Sequence, residues 1–482
     1  MIDSIVATLS TYASQPVVFN SESFWLLMLF FLPFFAIFRR KRLSMVLFLT
    51  AFSIFFYYCS AGWMTLLLLF RAIADYYLSW WMSKANNKTA KKTILSISII
   101  SSLGTLIYFK YAGFLTSCFS DIIGSNFCVT SVVIPLGISY YTFRSISYSI
   151  EVYRGLTTVP RNLLDYIFYL TYFPIILAGP IVRAGDFFQQ LDKPLENNAS
   201  MVFSSFFLVM KGLLKKALIA DYLAQFNMMV FDNPDAYTGF EQLMALLGFG
   251  IQIYFDFSGY SDIAIGISKI IGIHPGINFK HPYKSTNISD FWRRWHISLS
   301  SWLRDFVYIP LGGSRCGKWR TDVNLLITMI VGGVWHGAGL TFLIWGALHG
   351  IALVVQKRLG RLLPDFKYDK FVYGIITFSF VTLLWALFCA SSLNAALTMV
   401  CGIFNNFDFS YISFFFKERS LWIIVVILSY IFVFVPQRWS DMLQNRFVKL
   451  SWGWKLVVFC LLIQLILQFS DESVTPFLYA NF

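Results

Sequence analysis

Two histidines forty residues apart are the side chains here best suited to moving a proton near neutral pH. His296 lies in Phe291-Trp292-Arg293-Arg294-Trp295-His296-Ile297-Ser298-Leu299-Ser300, a basic and aromatic setting that reads as water-facing. His336 lies in Gly332-Gly333-Val334-Trp335-His336-Gly337-Ala338 and interrupts an apolar stretch. An ionisable group so placed is costly, which marks it as a functional-site candidate. A neutral imidazole can take the proton of an attacking hydroxyl, and burial lowers its pKa and keeps it neutral. The glycines beside His336 allow close backbone approach. The alternative is a packed histidine bonded to a carbonyl. Together the two histidines suggest chemistry inside a membrane, fed from one aqueous side.

Other groups gather around them. His296 is either a second catalytic or positioning group or a structural donor. Arg293, Arg294 and Arg304 either offer bidentate geometry to phosphates or only mark a cytosolic loop. Asp305 either orients an Arg or His or forms an ion pair near Arg304. Asp256 and Asp262 are six residues apart in an apolar segment and do not share one helical face cleanly, so each is expected to pair with a buried Arg or to cap a broken helix. His349 reads as a core residue on the same helix as Trp345, and His274 and His281 as loop residues. No metal-ligand set is apparent, and the seven Cys lack CxxC spacing. Cys118 and Cys128 flank one loop and either pair outside the cytosol or are small apolar residues near helix ends.

The elements that hold these groups must be membrane helices. Of 482 residues, 57% are hydrophobic and 13% charged, and mean hydropathy is +0.64. No soluble domain of this length buries that much apolar surface. Long unbroken apolar runs indicate helices rather than barrel strands. The net charge of +13 fits basic inter-helix loops on the cytosolic side and would also attract an anionic cytosolic donor; its spread over short loops argues against nucleic acid.

Phe24–Phe38 ends at Arg39-Arg40-Lys41-Arg42, which fixes a cytosolic side and puts the N-terminus outside. The segment before it lacks a basic n-region and does not read as a cleavable signal. Met45–Ser60, Trp63–Met82, Thr93–Ala112 and Val129–Ile150 follow as crossings. Tyr166–Pro180, with Pro174, Gly179 and Pro180, reads as re-entrant, and Met201–Leu223, with Lys211, Lys215 and Lys216, as partly interfacial. After Phe240–Gly272 comes a polar stretch, His274–Thr321, placed on the cytosolic side. Val323–His336 and Gly339–Val355 pair with His336 near their apex. Phe371–Cys389, Leu421–Val435 and Trp454–Gln468 complete about ten or eleven spans and leave the tail, Ser470–Phe482, outside. With no internal repeat or linker, residues 1–482 read as one all-α polytopic domain.

Phe291–Gly313 followed by Trp335-His336-Gly337 resembles the signature of the membrane-bound O-acyltransferase family, in particular its bacterial branch that O-acetylates alginate, peptidoglycan and cellulose. Pro135-Leu136-Gly137-Ile138-Ser139-Tyr140-Tyr141-Thr142-Phe143, Glu151-Val152-Tyr153-Arg154-Gly155, Phe173-Pro174, Ala178-Gly179-Pro180, Tyr254-Phe255-Asp256-Phe257-Ser258-Gly259-Tyr260-Ser261-Asp262 and the run from Asn278-Phe279 to Pro282-Tyr283 resemble it too. The signature core is 130–356; Lys357–Trp454 is only generically similar. The D-alanyl transferases of teichoic acid share the superfamily, but Arg293 and the Leu311-Gly312-Gly313 turn look more like the acetyl branch. Arg144 departs from relatives that often carry Glu or Gln there; it either pairs with Glu151 or Asp262 or contacts a substrate anion.

The resemblance implies a ring of tilted helices around a central chamber with funnels from both faces. It also implies acetyl-CoA as donor, no bound cofactor, and His336 as base beside Trp335. The chain ends Phe477-Leu478-Tyr479-Ala480-Asn481-Phe482, an F-x-Y-x-x-F tail. It resembles the terminal motif of the small partner peptide in D-alanylation. Tyr479 either carries the acetyl group outward as a covalent ester or sits in an interfacial aromatic belt. With no Gly-Asp-Ser nucleophile motif in the chain, an extracytoplasmic partner of the SGNH type is implied for the final transfer to a polysaccharide. Two rival readings are acyl transfer of D-alanine from a carrier protein, and a transporter or flippase without covalent chemistry; the absence of repeats counts against the latter.

Overall fold

The computed structural model describes residues 17–19, 21–123, 133–193, 198–362 and 369–469. Among these every regular element is helical. In order they are α1 (Glu22–Phe38), α2 (Arg42–Ala61), α3 (Met64–Lys84), α4 (Lys88–Leu106), α5 (Ala112–Ile123), α6 (Ile138–Tyr153), α7 (Leu163–Thr171), α8 (Ala184–Leu191), α9 (Ala199–Leu213), α10 (Asp221–Asp232), α11 (Gly239–Ile271), α12 (Ile288–Arg294), α13 (Ile297–Leu303), α14 (Lys318–His336), α15 (Leu340–Leu362), α16 (Lys370–Cys389), α17 (Leu393–Asn405), α18 (Tyr411–Glu418), α19 (Ser420–Phe434), α20 (Gln437–Lys449) and α21 (Trp452–Phe469). Tyr479 and Cys128 lie outside the described residues.

The all-α polytopic membrane expectation is met. Among the described residues, four helices are long and apolar enough to cross a bilayer, or five if the bent pair α19–α20 forms one span. The remaining apolar segments are shorter, such as Glu22–Phe38 and Trp452–Gln468, or carry charges, as α11 does. Fewer of the helices are therefore long and apolar enough to cross by themselves than the ten or eleven segments expected.

The chain packs as two compact units that share α11. The first takes residues up to 198 and 263–276. Phe31, Phe52, Phe56 and Phe173 form its aromatic core. Its polar groups meet inside: Arg71 pairs with Asp75, which also accepts from the Tyr166 hydroxyl at 3.1 Å. Arg144, fully buried, donates to the carbonyls of Tyr169 (3.2 Å) and Leu170 (2.9 Å). Neither carboxylate expected for it is its partner, since Glu151 faces Arg183 at 3.8 Å and Asp262 belongs to a lysine. The unwound backbone after α7 leaves two carbonyls without helical donors, and a guanidinium supplies them. Helix α6 starts at Ile138, later than the apolar run, because Gly137 is left-handed (φ 71°) and any Cβ there would meet the Ile176 oxygen at 2.3 Å. The segment expected to be re-entrant is indeed broken: α7 ends at Thr171, a 3₁₀ turn spans Phe173–Ile175, and both are buried.

The second unit takes 199–262 and the described residues from 277 onward. Helix α9 opens into a π-helical stretch, Leu214–Ala220, that points Lys215 and Lys216 inward. Lys216 reaches Asp256 (2.5 Å) and Asp221 (2.7 Å), and Lys215 reaches Asp262 (2.7 Å). Thus Asp256 and Asp262 pair with lysines rather than with an Arg, and the segment expected to be interfacial is buried at Lys215 and Lys216 and half-buried at Lys211. Helices α14 and α15 form a tight hairpin. A Cβ on Gly333 would meet the Phe342 oxygen at 2.3 Å, and one on Gly346 the Met329 oxygen at 2.5 Å. At the open end Arg358 Nε donates to Asp322 at 2.7 Å. Because both glycines face backbone that cannot yield, Gly346→Ala should cost about 1–3 kcal/mol and lower the melting temperature in detergent by several degrees. An unchanged melting temperature would mean that the two helices do not touch there.

Candidate active site

All the candidate groups within the described residues belong to the second unit. His336 is the last residue of α14, and Gly337 follows in extended conformation. A Cβ on Gly337 would enter the Phe342 ring, so only glycine lets the chain turn against that ring. His336 is 2% exposed. Its imidazole is walled by Trp335 (ring centroids 4.9 Å apart), Trp345 (5.3 Å) and Phe388 (5.1 Å). The hairpin brings Trp345 from α15, and α16 brings Phe388.

His296 is placed differently from the expectation. It is fully buried rather than water-facing. It caps α13 with φ 41°, a left-handed backbone that is uncommon for a residue with a Cβ. Asn278 holds this turn: its carbonyl accepts from Ile297 N (2.9 Å), and its Oδ1 from the Ser298 hydroxyl (2.6 Å). The ring is thereby turned inward onto Phe257 (4.6 Å) and Trp335 (5.8 Å). Trp335 thus touches both histidines. Neither ring nitrogen of His296 has a hydrogen-bond partner among the described residues. Burial pushes its pKa down to about 3, so the ring is neutral at physiological pH.

The arginines are not gathered into one set. Arg293 is exposed, on the turn before His296. Arg294 Nε donates to Asp290 at 2.9 Å, one helical turn back. Arg304, 62% exposed, donates to its neighbour Asp305 at 2.7 Å. Asp305 therefore engages an arginine. Groups of three or more metal-binding side chains are absent among the described residues.

Two participants, Phe388 and Trp292, were not singled out by sequence reasoning. Phe388 lies in the weakly similar last third, and nothing local marks it. Trp292 donates Nε1 to His349 Nδ1 at 3.4 Å, and His349 packs on Trp345 at 4.7 Å. His349 is a core residue as expected, yet it shares Trp345 with His336. The four-residue spacing of Trp345 and His349 was the available signal, since it puts both on one helix face.

The description "membrane-bound O-acyltransferase family" matches residues 159–399, which include His296, His336 and the whole α14–α15 hairpin. The chain belongs to this family. It is similar to a "probable alginate O-acetylase AlgI" of Azotobacter vinelandii, at 38% identity over 87% of this chain and 84% of that one. It is 33% identical to a peptidoglycan O-acetyltransferase of Helicobacter pylori, over 84% and 82%. A teichoic acid D-alanyltransferase of Bacillus subtilis is 29% identical over 51% and 66%. The enzyme is an O-acyltransferase, and as a multi-pass membrane protein it fits the family.

The depressed pKa of His296 fixes a sign. Between about pH 6.5 and 3 the unfolded chain binds a proton here that the folded chain does not, so this residue makes stability fall as pH falls through that window and is neutral above it. Replacing it by Gln should flatten the acid limb of thermal stability relative to wild type. Parallel acid limbs would show that His296 is solvated.

Proposed function

We propose that the enzyme takes an acetyl group from cytosolic acetyl-CoA and delivers it, across the bacterial inner membrane, toward an extracytoplasmic polysaccharide. The carrying observation is His336: an imidazole at the end of a helix, buried and walled by Trp335, Trp345 and Phe388. Such a setting suits a base that must meet a thioester while water is kept out. In the proposed step the imidazole takes the proton of an acceptor hydroxyl as its oxygen attacks the thioester carbonyl. Collapse of the tetrahedral intermediate breaks the C–S bond, and the proton passes to the departing CoA thiolate. His296, neutral on the other side of Trp335, positions that indole and the acceptor rather than exchanging protons.

Arg293 is the arginine best suited to the donor's phosphates, being exposed next to the His296 turn. Arg294 and Arg304 are held by Asp290 and Asp305 and would contribute field rather than direct ligation. Tyr479 serves as the acceptor hydroxyl, carrying the acetyl group as an ester to a partner of the SGNH type, which places it on the polysaccharide. Alginate and peptidoglycan, the polymers named for the relatives at 38% and 33% identity, indicate the acceptor class. The acetyl group is favoured over D-alanine because the D-alanyl relative matches less of the chain.

Intact mass after incubation with acetyl-CoA tests the scheme. Wild type should gain one acetyl group. Tyr479→Phe should gain none, and His336→Ala should acylate on the order of a hundred- to ten-thousandfold more slowly. Full-rate acylation of His336→Ala would remove His336 as base. Release of CoA without an adduct on wild type would place the acceptor hydroxyl on another molecule.

A further inference from the structure

We propose that α20 is an interfacial helix whose basic face binds the phosphate headgroup of an anionic phospholipid. This proposal does not depend on the acyl-transfer reading. Helices α19 and α20 meet at 96° across a short break at Val435-Pro436. Helix α19 is apolar throughout, with Ile424, Ile427, Leu428 and Ile431 exposed, so its surroundings are lipid. A polar, amphipathic helix set at a right angle to the lipid-facing α19 suits the plane of the bilayer surface.

At 100° per residue, α20 divides into three stripes. Ser440, Gln444, Phe447 and Val448 face protein: Phe447 packs on Phe207 (5.4 Å), and Gln444 donates to the Ser204 carbonyl (3.1 Å). Trp439, Leu443 and Leu450 form an exposed apolar stripe, continued by exposed Trp452 and Trp454 at the start of α21. Indoles at that depth are interfacial anchors. The third stripe carries Arg438, Asn445 and Lys449, with Arg446 on its border with the apolar one. These four residues, with Asp441 and Met442, line an open cleft. Asp441, which accepts from Gln437 at 2.8 Å, keeps its own charge, so three cations against one carboxylate leave the cleft net positive. The corner is fixed from below, where Lys284 Nζ donates to the Val435 carbonyl (2.9 Å) and His281 bonds Gln437 (2.9 Å).

A cationic stripe beside an apolar one, with tryptophans at the join, matches a phosphodiester above acyl chains. Arginine binds such a group bidentately, and lysine as a point charge. A soluble anion would satisfy the cations but leave Trp439, Leu443 and Leu450 in water, so the lipid is the occupant.

The test titrates purified full-length protein in detergent with short-chain phosphatidylglycerol, the matched phosphatidylcholine and inorganic phosphate, reading melting temperature and lipid adducts by native mass spectrometry. Phosphatidylglycerol alone should stabilise wild type and remain bound. Arg438→Gln/Arg446→Gln/Lys449→Gln should weaken that binding on the order of a hundredfold, whereas Lys84→Gln/Lys88→Gln/Lys92→Gln, with the same loss of charge, should keep it. Arg446→Gln alone should lose roughly fivefold, readable even if the triple variant does not purify. Equal phosphatidylglycerol binding by the α20 variants and wild type would overturn the proposal. So would equal stabilisation by phosphatidylcholine, or by inorganic phosphate.

Discussion

A polar group inside this chain has no bulk water to return to, and the architecture follows from that constraint. An unpaired buried charge costs several kcal/mol, so every strongly buried ion must be met by another element. In the first unit that demand ties α3 to α7 through Arg71, Asp75 and Tyr166, and ties α6 to the carbonyls of Tyr169 and Leu170 through Arg144. In the second it draws Lys215 and Lys216 onto α11. The π-helical stretch at 214–220 is the local device that turns two consecutive lysines toward one neighbour. Gly259 completes the fit, since a Cβ there would meet the Gly212 oxygen at 2.8 Å.

The same constraint explains why the α14–α15 hairpin is built on glycine. Helices in lipid gain little from burying apolar surface and associate through close packing. Gly333 and Gly346 let two backbones touch, and the contact sets the height at which α14 stops. His336 is therefore positioned by main-chain contact rather than by a flexible side-chain neighbour. Trp345, delivered by the returning helix, then closes one wall. Packing and site are one arrangement here.

The helical membrane class and the hairpin with His336 at its apex were legible in the sequence, because apolar run length and glycine spacing are local signals. The partners of Asp256, Asp262 and Arg144 were not. They depend on which helices lie side by side, and a carboxylate six residues from another carries no information about a lysine forty residues earlier. His296 was misread for a related reason: the polarity of Arg293 and Arg294 was extended to it, whereas a left-handed turn reverses the side chain between one residue and the next. The tail motif and Tyr479 fall outside the described residues, and Phe388 carried no signal because any large aromatic could stand at that place in an apolar helix.

The contrast between the two histidines has a physical consequence for the proposed reaction. A base must reach the reacting oxygen and must tolerate becoming an imidazolium for an instant. His296 is enclosed by Phe257 and Trp335, and its burial opposes protonation to about pH 3. His336 sits at the C-terminal end of a 19-residue helix, where the helix dipole is negative and favours a transient positive charge. Aromatic surroundings alone thus do not make the two rings alike. For the proposed reaction, the helix end therefore suits His336 to the part of base, and the clamp by Asn278 suits His296 to that of support for the indole they share.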